Sequence, residues 1–191
     1  MSMRVISWDE YAGGPPLEPL AVTIGVFDGV HLGHQALIRR ICAEPYIPTV
    51  VTFRHNPLKI LRPQAFGGDI LNTDQKHRVL EGMGVRLTVL IDFTEKFSKM
   101  SGRGFIDLLL GNQPVKLVVL GRNFRCGYGL DTGAEEIRSF AEARGVAAWI
   151  ADPVMDHGQP VSSSRIRQAL AAGNTGEAER LLGRSQLFCS Q

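Results

Sequence analysis

Leu20-Ala21-Val22-Thr23-Ile24-Gly25-Val26-Phe27 runs directly into Asp28-Gly29-Val30-His31-Leu32-Gly33-His34, and this stretch decides the fold. Residues 20–27 are a near-continuous apolar run, as expected of a strand covered on both faces in a parallel sheet. Asp28-Gly29 and Gly33 supply turn chemistry, and a helical pattern follows from residue 34 to about 43. A buried strand that turns into a helix is the opening unit of an α/β protein.

The alternation continues to the carboxyl side. Residues 48–53, 85–91, 115–120 and 146–150 read as further strands. Between and after them, helices are predicted over 73–83, with Thr73 or Asp74 as N-cap, in stretches up to 110, and over 134–144, 162–172 and 175–182. Residues 121–133 form a Gly-rich loop, and residues 12–19 are an irregular approach to the first strand. No repeat or boundary interrupts the pattern. The expectation is a single domain over residues 1–191, an α/β doubly wound parallel sheet. In such sheets ligands sit beyond the carboxyl ends of the strands.

Composition narrows the function. The chain has 191 residues, of which 44% are hydrophobic and 21% charged, with a formal net charge of +2. That near balance lacks the basic excess of a dedicated nucleic-acid binder. Cys42, Cys126 and Cys189 stand far apart without a C-x-x-C pair, so neither a zinc module nor a disulfide framework is expected. The N-terminal residues carry no apolar signal region, and no run approaches the roughly 20 apolar residues of a membrane span. A cytoplasmic protein with small-molecule substrates is expected. A monomer is expected too, with weak self-association as the alternative.

Two segments carry chemistry of their own. The turn at 25–34 ends at a helix N-terminus, where free amides and the helix dipole favour an anion. It lacks the Gly-Lys-[Ser/Thr] ending of a Walker loop and is not G-x-G-x-x-G. His31 and His34, three apart, share a face and can hydrogen-bond the phosphates of a nucleotide. Gly33 removes a side chain where backbone would approach a ligand. Ser162-Ser163-Ser164, with Arg165 and Arg167, offers hydroxyls, amides and fixed charge to a polyphosphate. His55, His77 and His157 read as ordinary surface or satisfied histidines. For Asp28 a role in holding the loop ranks ahead of contact with magnesium through water.

The segment Gly25-Val26-Phe27-Asp28-Gly29-Val30-His31-Leu32-Gly33-His34 resembles the nucleotidylyltransferase superfamily signature, and its longer form resembles the bacterial FAD synthetases. Thr52-Phe53-Arg54-His55-Asn56-Pro57 is similar to that family's Thr-Phe-x-Pro-His-Pro block. Gly121-Arg122-Asn123-Phe124-Arg125-Cys126-Gly127 is similar to its Gly-x-[Asp/Asn]-Phe-x-Phe-Gly loop. Val161-Ser162-Ser163-Ser164-Arg165-Ile166-Arg167 and Leu181-Leu182-Gly183-Arg184 follow in the family's order. His55, Asn56 and Cys126 depart from the family residues, all on the acceptor side.

The resemblance implies a Rossmann-like nucleotidylyltransferase fold and FMN adenylyltransferase activity: ATP and FMN give FAD and pyrophosphate, with Mg²⁺ accompanying ATP. It implies catalytic roles for His31, His34 and Arg167. ATP would lie against Gly25, Phe27, Asp28, Gly33, His34, Ser162, Ser163, Ser164 and Arg167. The flavin would lie against Phe53, Asn56, Pro57, Asn123, Phe124 and Arg125. No residue cluster is expected to hold a metal by protein ligands alone. The alternatives are another phosphate-bearing acceptor, or a flavin or nucleotide sensor without catalysis. In the bacterial family this module continues into a riboflavin-phosphorylating domain; seven residues follow Arg184 here, so FAD from FMN but not from riboflavin is the expectation. A natural single-function enzyme and a chain cut at a domain boundary both fit that ending.

Overall fold

A computed structural model describes residues 2–185, so Cys189 lies outside it. Six parallel strands form the central sheet: β1 (Arg4–Ser7), β2 (Leu20–Ile24), β3 (Ile47–Phe53), β4 (Leu87–Ile91), β5 (Val115–Gly121) and β6 (Ala147–Ala151), in the order β1-β4-β3-β2-β5-β6. The register runs Val22↔Thr49 and Val22↔Val118 on the two sides of β2. The chain therefore leaves β2 in one direction through β3 and β4, and in the other through β5 and β6. The reversal at β2 is a topological switch point, where a crevice opens beyond the strand ends.

Strand alternation assigns the two faces. Val22, Ile24, Val118 and Leu120 point into a core shared with α1 (Trp8–Gly13), α4 (Gly102–Gly111) and α5 (Ala134–Glu142). On the other face Ala21, Leu117 and Val119 meet Leu37, Ile38 and Ile41 of α2 (Leu32–Cys42) and Leu80 of α3 (Thr73–Gly82). A smaller apolar cluster joins α6 (Ser163–Ala171) to α7 (Thr175–Leu182) through Ile166, Ala169, Ala178, Leu181 and Leu182, with Leu32 and Ile70 packed against it.

Several boundaries differ from the sequence reading, each for a local reason. The first strand stops at Ile24, because Phe27 and Val30 take left-handed backbone angles (φ 53° and 42°) that no strand accommodates. The second helix starts at Leu32 rather than His34, since His31 itself caps it. Asn72, not Thr73 or Asp74, caps α3: its side chain accepts from the Gln75 N–H while Gln75 accepts from the Asn72 N–H, a reciprocal capping box. The loop at 121–133 contains a small hairpin pairing Arg125–Cys126 with Thr132–Gly133. β1 and α1, absent from the sequence reading, add an edge strand and a helix whose Trp8 and Tyr11 are buried.

Candidate functional site

The turn between β2 and α2 lies at the switch point. The Gly25 N–H donates to the Val51 carbonyl at 3.1 Å, holding the turn against β3. Gly25 has no side chain because a Cβ would sit 3.2 Å from the Phe27 ring. Gly29 (φ 81°) then reverses the chain toward the helix.

His31 is the N-cap of α2, and its Nδ1 accepts the His34 N–H at 3.3 Å. An Nδ1 that accepts cannot carry the proton, so neutral His31 presents its N–H at Nε2. The two imidazoles stack with centroids 3.6 Å apart, and Phe27 closes on His34 at 5.0 Å. Gly33 lets this happen: a Cβ there would stand 3.2 Å from the His31 ring. Gly33 thus makes room for a side chain of the loop itself.

Burial holds His31 well below the ordinary histidine range, at about 4, and the Arg184 guanidinium adds to the effect. His34 is held well below it too, by burial first and then by the charges of His31 and Lys76. Both are neutral near pH 7. The sign for stability follows. Folded values lie below the unfolded value of about 6.5, so the unfolded chain takes up protons first as pH falls. For His31 the contribution is intact above about 6.5 and is lost on the way down to about 4, at up to ~1.4 kcal/mol per pH unit, and His34 acts in the same direction. Urea midpoints measured at pH 7 and pH 5 should therefore differ, and His34→Gln should reduce the difference. Equal midpoints in the unaltered protein would contradict the neutral pair.

Asp28 ties four segments together. Its buried carboxylate accepts from the Ile70 N–H at 2.9 Å and from Asn56 Nδ2 at 3.4 Å, and it pairs with Arg167. Its main-chain carbonyl accepts from Ser163 Oγ at 2.9 Å. Arg167 also donates to the Gly68 carbonyl at 2.9 Å. Ser162 caps α6 through its side chain, and Ser164 is exposed. Arg165 does not join this group: its guanidinium is held by Asp156 and Glu177, at 2.5 and 2.9 Å. That corrects the sequence expectation of two arginines beside a polyphosphate, because Arg165 is already neutralised.

Two cations that the sequence reading gave no role complete the site. Lys76 of α3 is buried, and its Nζ donates to the Phe53 carbonyl at 3.0 Å and Thr52 Oγ1 at 3.4 Å; Thr52 in turn donates to the Val26 carbonyl at 2.9 Å. Burial lowers the Lys76 pKa, opposed by Asp28 and Asp69. Arg184 donates to the Val30 carbonyl at 3.0 Å and to the Gly29 carbonyl. Arg167 is thus paired with the Asp28 carboxylate, Lys76 feels both Asp28 and Asp69, and Arg184 lies on the main chain of the same loop, while Asp69 is also paired with Lys59 at 2.6 Å. The local field favours an anion of several charges.

The residues expected at the acceptor fall in two places. Asn56 belongs to the Asp28 network, and Pro57 follows it into a short helical turn over Leu58–Leu61. Phe53 packs edge-on to Phe93 at 5.7 Å. Asn123, Phe124 and Arg125 instead line an open cleft of about 350 Å³ with Gly133, Glu135 and Glu136, beyond the carboxyl end of β5. Phe124 also packs against the main core. Among the described residues, no group of three or more His, Cys, Asp or Glu is placed to hold a metal ion, and no helix is long and apolar enough to cross a membrane.

Comparison with known proteins places the FAD synthetase family on residues 15–165. The bifunctional riboflavin kinase/FMN adenylyltransferase of Escherichia coli K12 is 31% identical over 186 residues, covering 95% of this chain and 59% of that protein. An FAD synthetase of Listeria monocytogenes is 29% identical, covering 85% of this chain and 68% of its own length. A crystal structure titled macrolide-efflux protein, from Streptococcus pneumoniae, superposes with a TM-score of 0.83 at 29% identity, over 95% of this chain and 62% of that one. The chain thus spans about 59% of the length of the bifunctional relatives it matches.

Proposed function

Because the chain belongs to the FAD synthetase family, we propose that it transfers the adenylyl group of ATP to FMN, giving FAD and pyrophosphate. The observation that carries this reading is the turn at 25–34, with two neutral stacked histidines at a helix N-terminus, Arg167 and Lys76 beside the Asp28 carboxylate, and Arg184 on the loop carbonyls.

In this reaction a phosphate oxygen of FMN attacks the α-phosphorus of ATP in line. The bond to the α,β-bridging oxygen breaks, and its electron pair leaves with pyrophosphate. No protein nucleophile is required, so the protein contributes positioning and preorganised donors. The His31 Nε2–H and His34 serve the α- and β-phosphates as neutral donors. Their low proton affinity suits the role: they reorient no charge as the transition state forms. Ser162, Ser163, Ser164 and Arg167 serve the β,γ-phosphates, and Gly25 and Phe27 shape the nucleotide floor. The cleft beside Asn123, Phe124 and Arg125 has room for a planar ring system; Phe53, Asn56 and Pro57 complete the acceptor side.

Mg²⁺ belongs to the same proposal, as a cation that neutralises phosphate charge when it arrives with ATP. The described residues fit that division: both Asp28 carboxylate oxygens are already engaged, by Ile70 and by Asn56 and Arg167. Magnesium is often held by one or two carboxylates together with substrate phosphates. We also place the reaction in the cytoplasm, with a monomer acting on small molecules and with no nucleic-acid or membrane partner.

Residues 1–191 are proposed as one adenylyl-transfer unit, because the described elements from β1 to α7 all pack into this sheet or against its loop. A single assay tests the reading. ATP, Mg²⁺ and FMN should give FAD by chromatography, and excess EDTA should abolish it. Pantetheine phosphate and nicotinate mononucleotide should release little pyrophosphate. Faster turnover of another acceptor would replace FMN in the proposal; binding of ATP and FMN without product would point to a sensor.

A further inference from the structure

The loop's strain requires something to hold it. Phe27, Gly29 and Val30 all lie at positive φ, two of them non-glycine residues that ordinarily avoid that region. The amino half is held by Thr52, whose Oγ1 donates to the Val26 carbonyl. The carboxyl half is held from a segment more than 150 residues away: Arg184 donates to the carbonyls of Gly29 and Val30. Gln35 braces the same point, donating to the Val30 carbonyl at 3.0 Å and to the Leu182 carbonyl at 2.7 Å.

Two further observations show that this contact is built. Gly183 sits at φ 63° as the C-terminal cap of α7, and a Cβ there would stand 2.5 Å from Leu32 Cδ2. Glycine suits this left-handed position and lets the end of α7 approach the start of α2 without displacing Leu32. Arg184 is also half-buried and, among the described residues, makes no ion pair; its partners are backbone carbonyls. A buried guanidinium without a carboxylate is costly unless an anion is brought near it.

Resting on the adenylyl-transfer reading, we propose that Arg184 is a positioning residue for the histidine loop, fixing its carbonyls so that its amides and His31 face the phosphate chain. The stereochemistry is direct. In a planar trans peptide the C=O and the following N–H point to opposite sides. Anchoring the Val30 carbonyl on Arg184 therefore turns the His31 N–H away from Arg184. Arg184 does not reach the reacting atoms in this scheme; it acts through the loop.

The test uses the full chain with Arg184→Met, which keeps much of the apolar stem, and Arg184→Lys, which keeps the charge but not the fork. Without substrates, hydrogen exchange of amides 26–31 should quicken at least ~10-fold in Arg184→Met, while β2 and β5 amides keep their protection. In the adenylyl-transfer assay kcat should fall at least ~30-fold with KM for ATP moving less than ~3-fold. Arg184→Lys should lie between, and added guanidinium ion should restore part of the kcat of Arg184→Ala. Unchanged loop exchange in both variants would overturn the anchoring, whatever the protein catalyses. A kcat within ~3-fold of the unaltered protein would overturn its consequence for the reaction. If Arg184→Met does not fold, Arg184→Lys carries both readouts. If the unaltered protein makes no FAD, the functional reading fails while the exchange result still decides the anchoring.

Discussion

His34→Ala is expected to lower kcat for FAD formation by about 100- to 1000-fold, the usual cost of removing one preorganised donor from a developing charge. His34 makes no cap and its Nδ1 has no hydrogen-bond partner, so the loss of stability should come from packing alone, its ring being stacked on His31 and closed over by Phe27. His31→Ala should lose activity on a similar scale and also stability of about 1 kcal/mol, because the ring caps α2. His31→Asn separates the two roles. Asparagine is a favoured N-cap, so thermal stability should return, while the missing Nε2–H should leave the rate low. The double variant should lose far less than the product of the single losses, as residues acting as a unit do. Steady-state kinetics with thermal melting on the four proteins checks all of this; near-normal rates in both alanine variants would remove the histidines from the reaction.

The second large effect falls on stability. Asp28→Ala should cost about 3–5 kcal/mol, the range seen when one partner of a buried ion pair is removed. Arg167 would lose its carboxylate, Lys76 would keep only Asp69, and the Ile70 N–H would lose its acceptor. Asp28→Ala combined with Arg167→Met should recover part of that loss, since removing both partners spares the uncompensated charge. Denaturant melts of the single and double variants give the coupling directly. A single variant within about 1 kcal/mol of the unaltered protein would mean that Asp28 is not the junction described.

The central sheet was legible because its strands are apolar runs of unmistakable length separated by helical periodicity, and the strand–turn–helix at 20–42 needed nothing else. β1 was not, because only Ile6 of its four residues is buried: an edge strand with most of its side chains in water leaves no alternation to read. Within the site, His-x-x-His gave the pair but not its geometry. One of the two is a cap and the other lies in the first turn, a difference that depends on the ψ of His31. Lys76 carried no signal beyond membership of a helix opening, since its burial is created by β3, another segment. Arg165 shows the reverse. It stands among the serines in sequence, yet the carboxylates that claim it come from Asp156 and Glu177. The Gly183-Arg184 pair was visible as part of a segment that resembles the family's, while its distant target was not.

The contacts that complete the loop also set an order in time. Ser163 meets Asp28 across 135 residues and Arg184 meets Gly29 across 155. During synthesis at about 5–20 residues per second, the histidine loop leaves the ribosome roughly 7–30 s before the residues that brace it. β2 and β3 can pair in that interval, and Thr52 can then hold the amino half of the strained turn, but its carboxyl half still lacks Arg184 and the Ser163 contact. A nascent chain stalled before α6 therefore carries the signature sequence without a formed phosphate cradle, and nucleotide capture becomes a property of the finished chain.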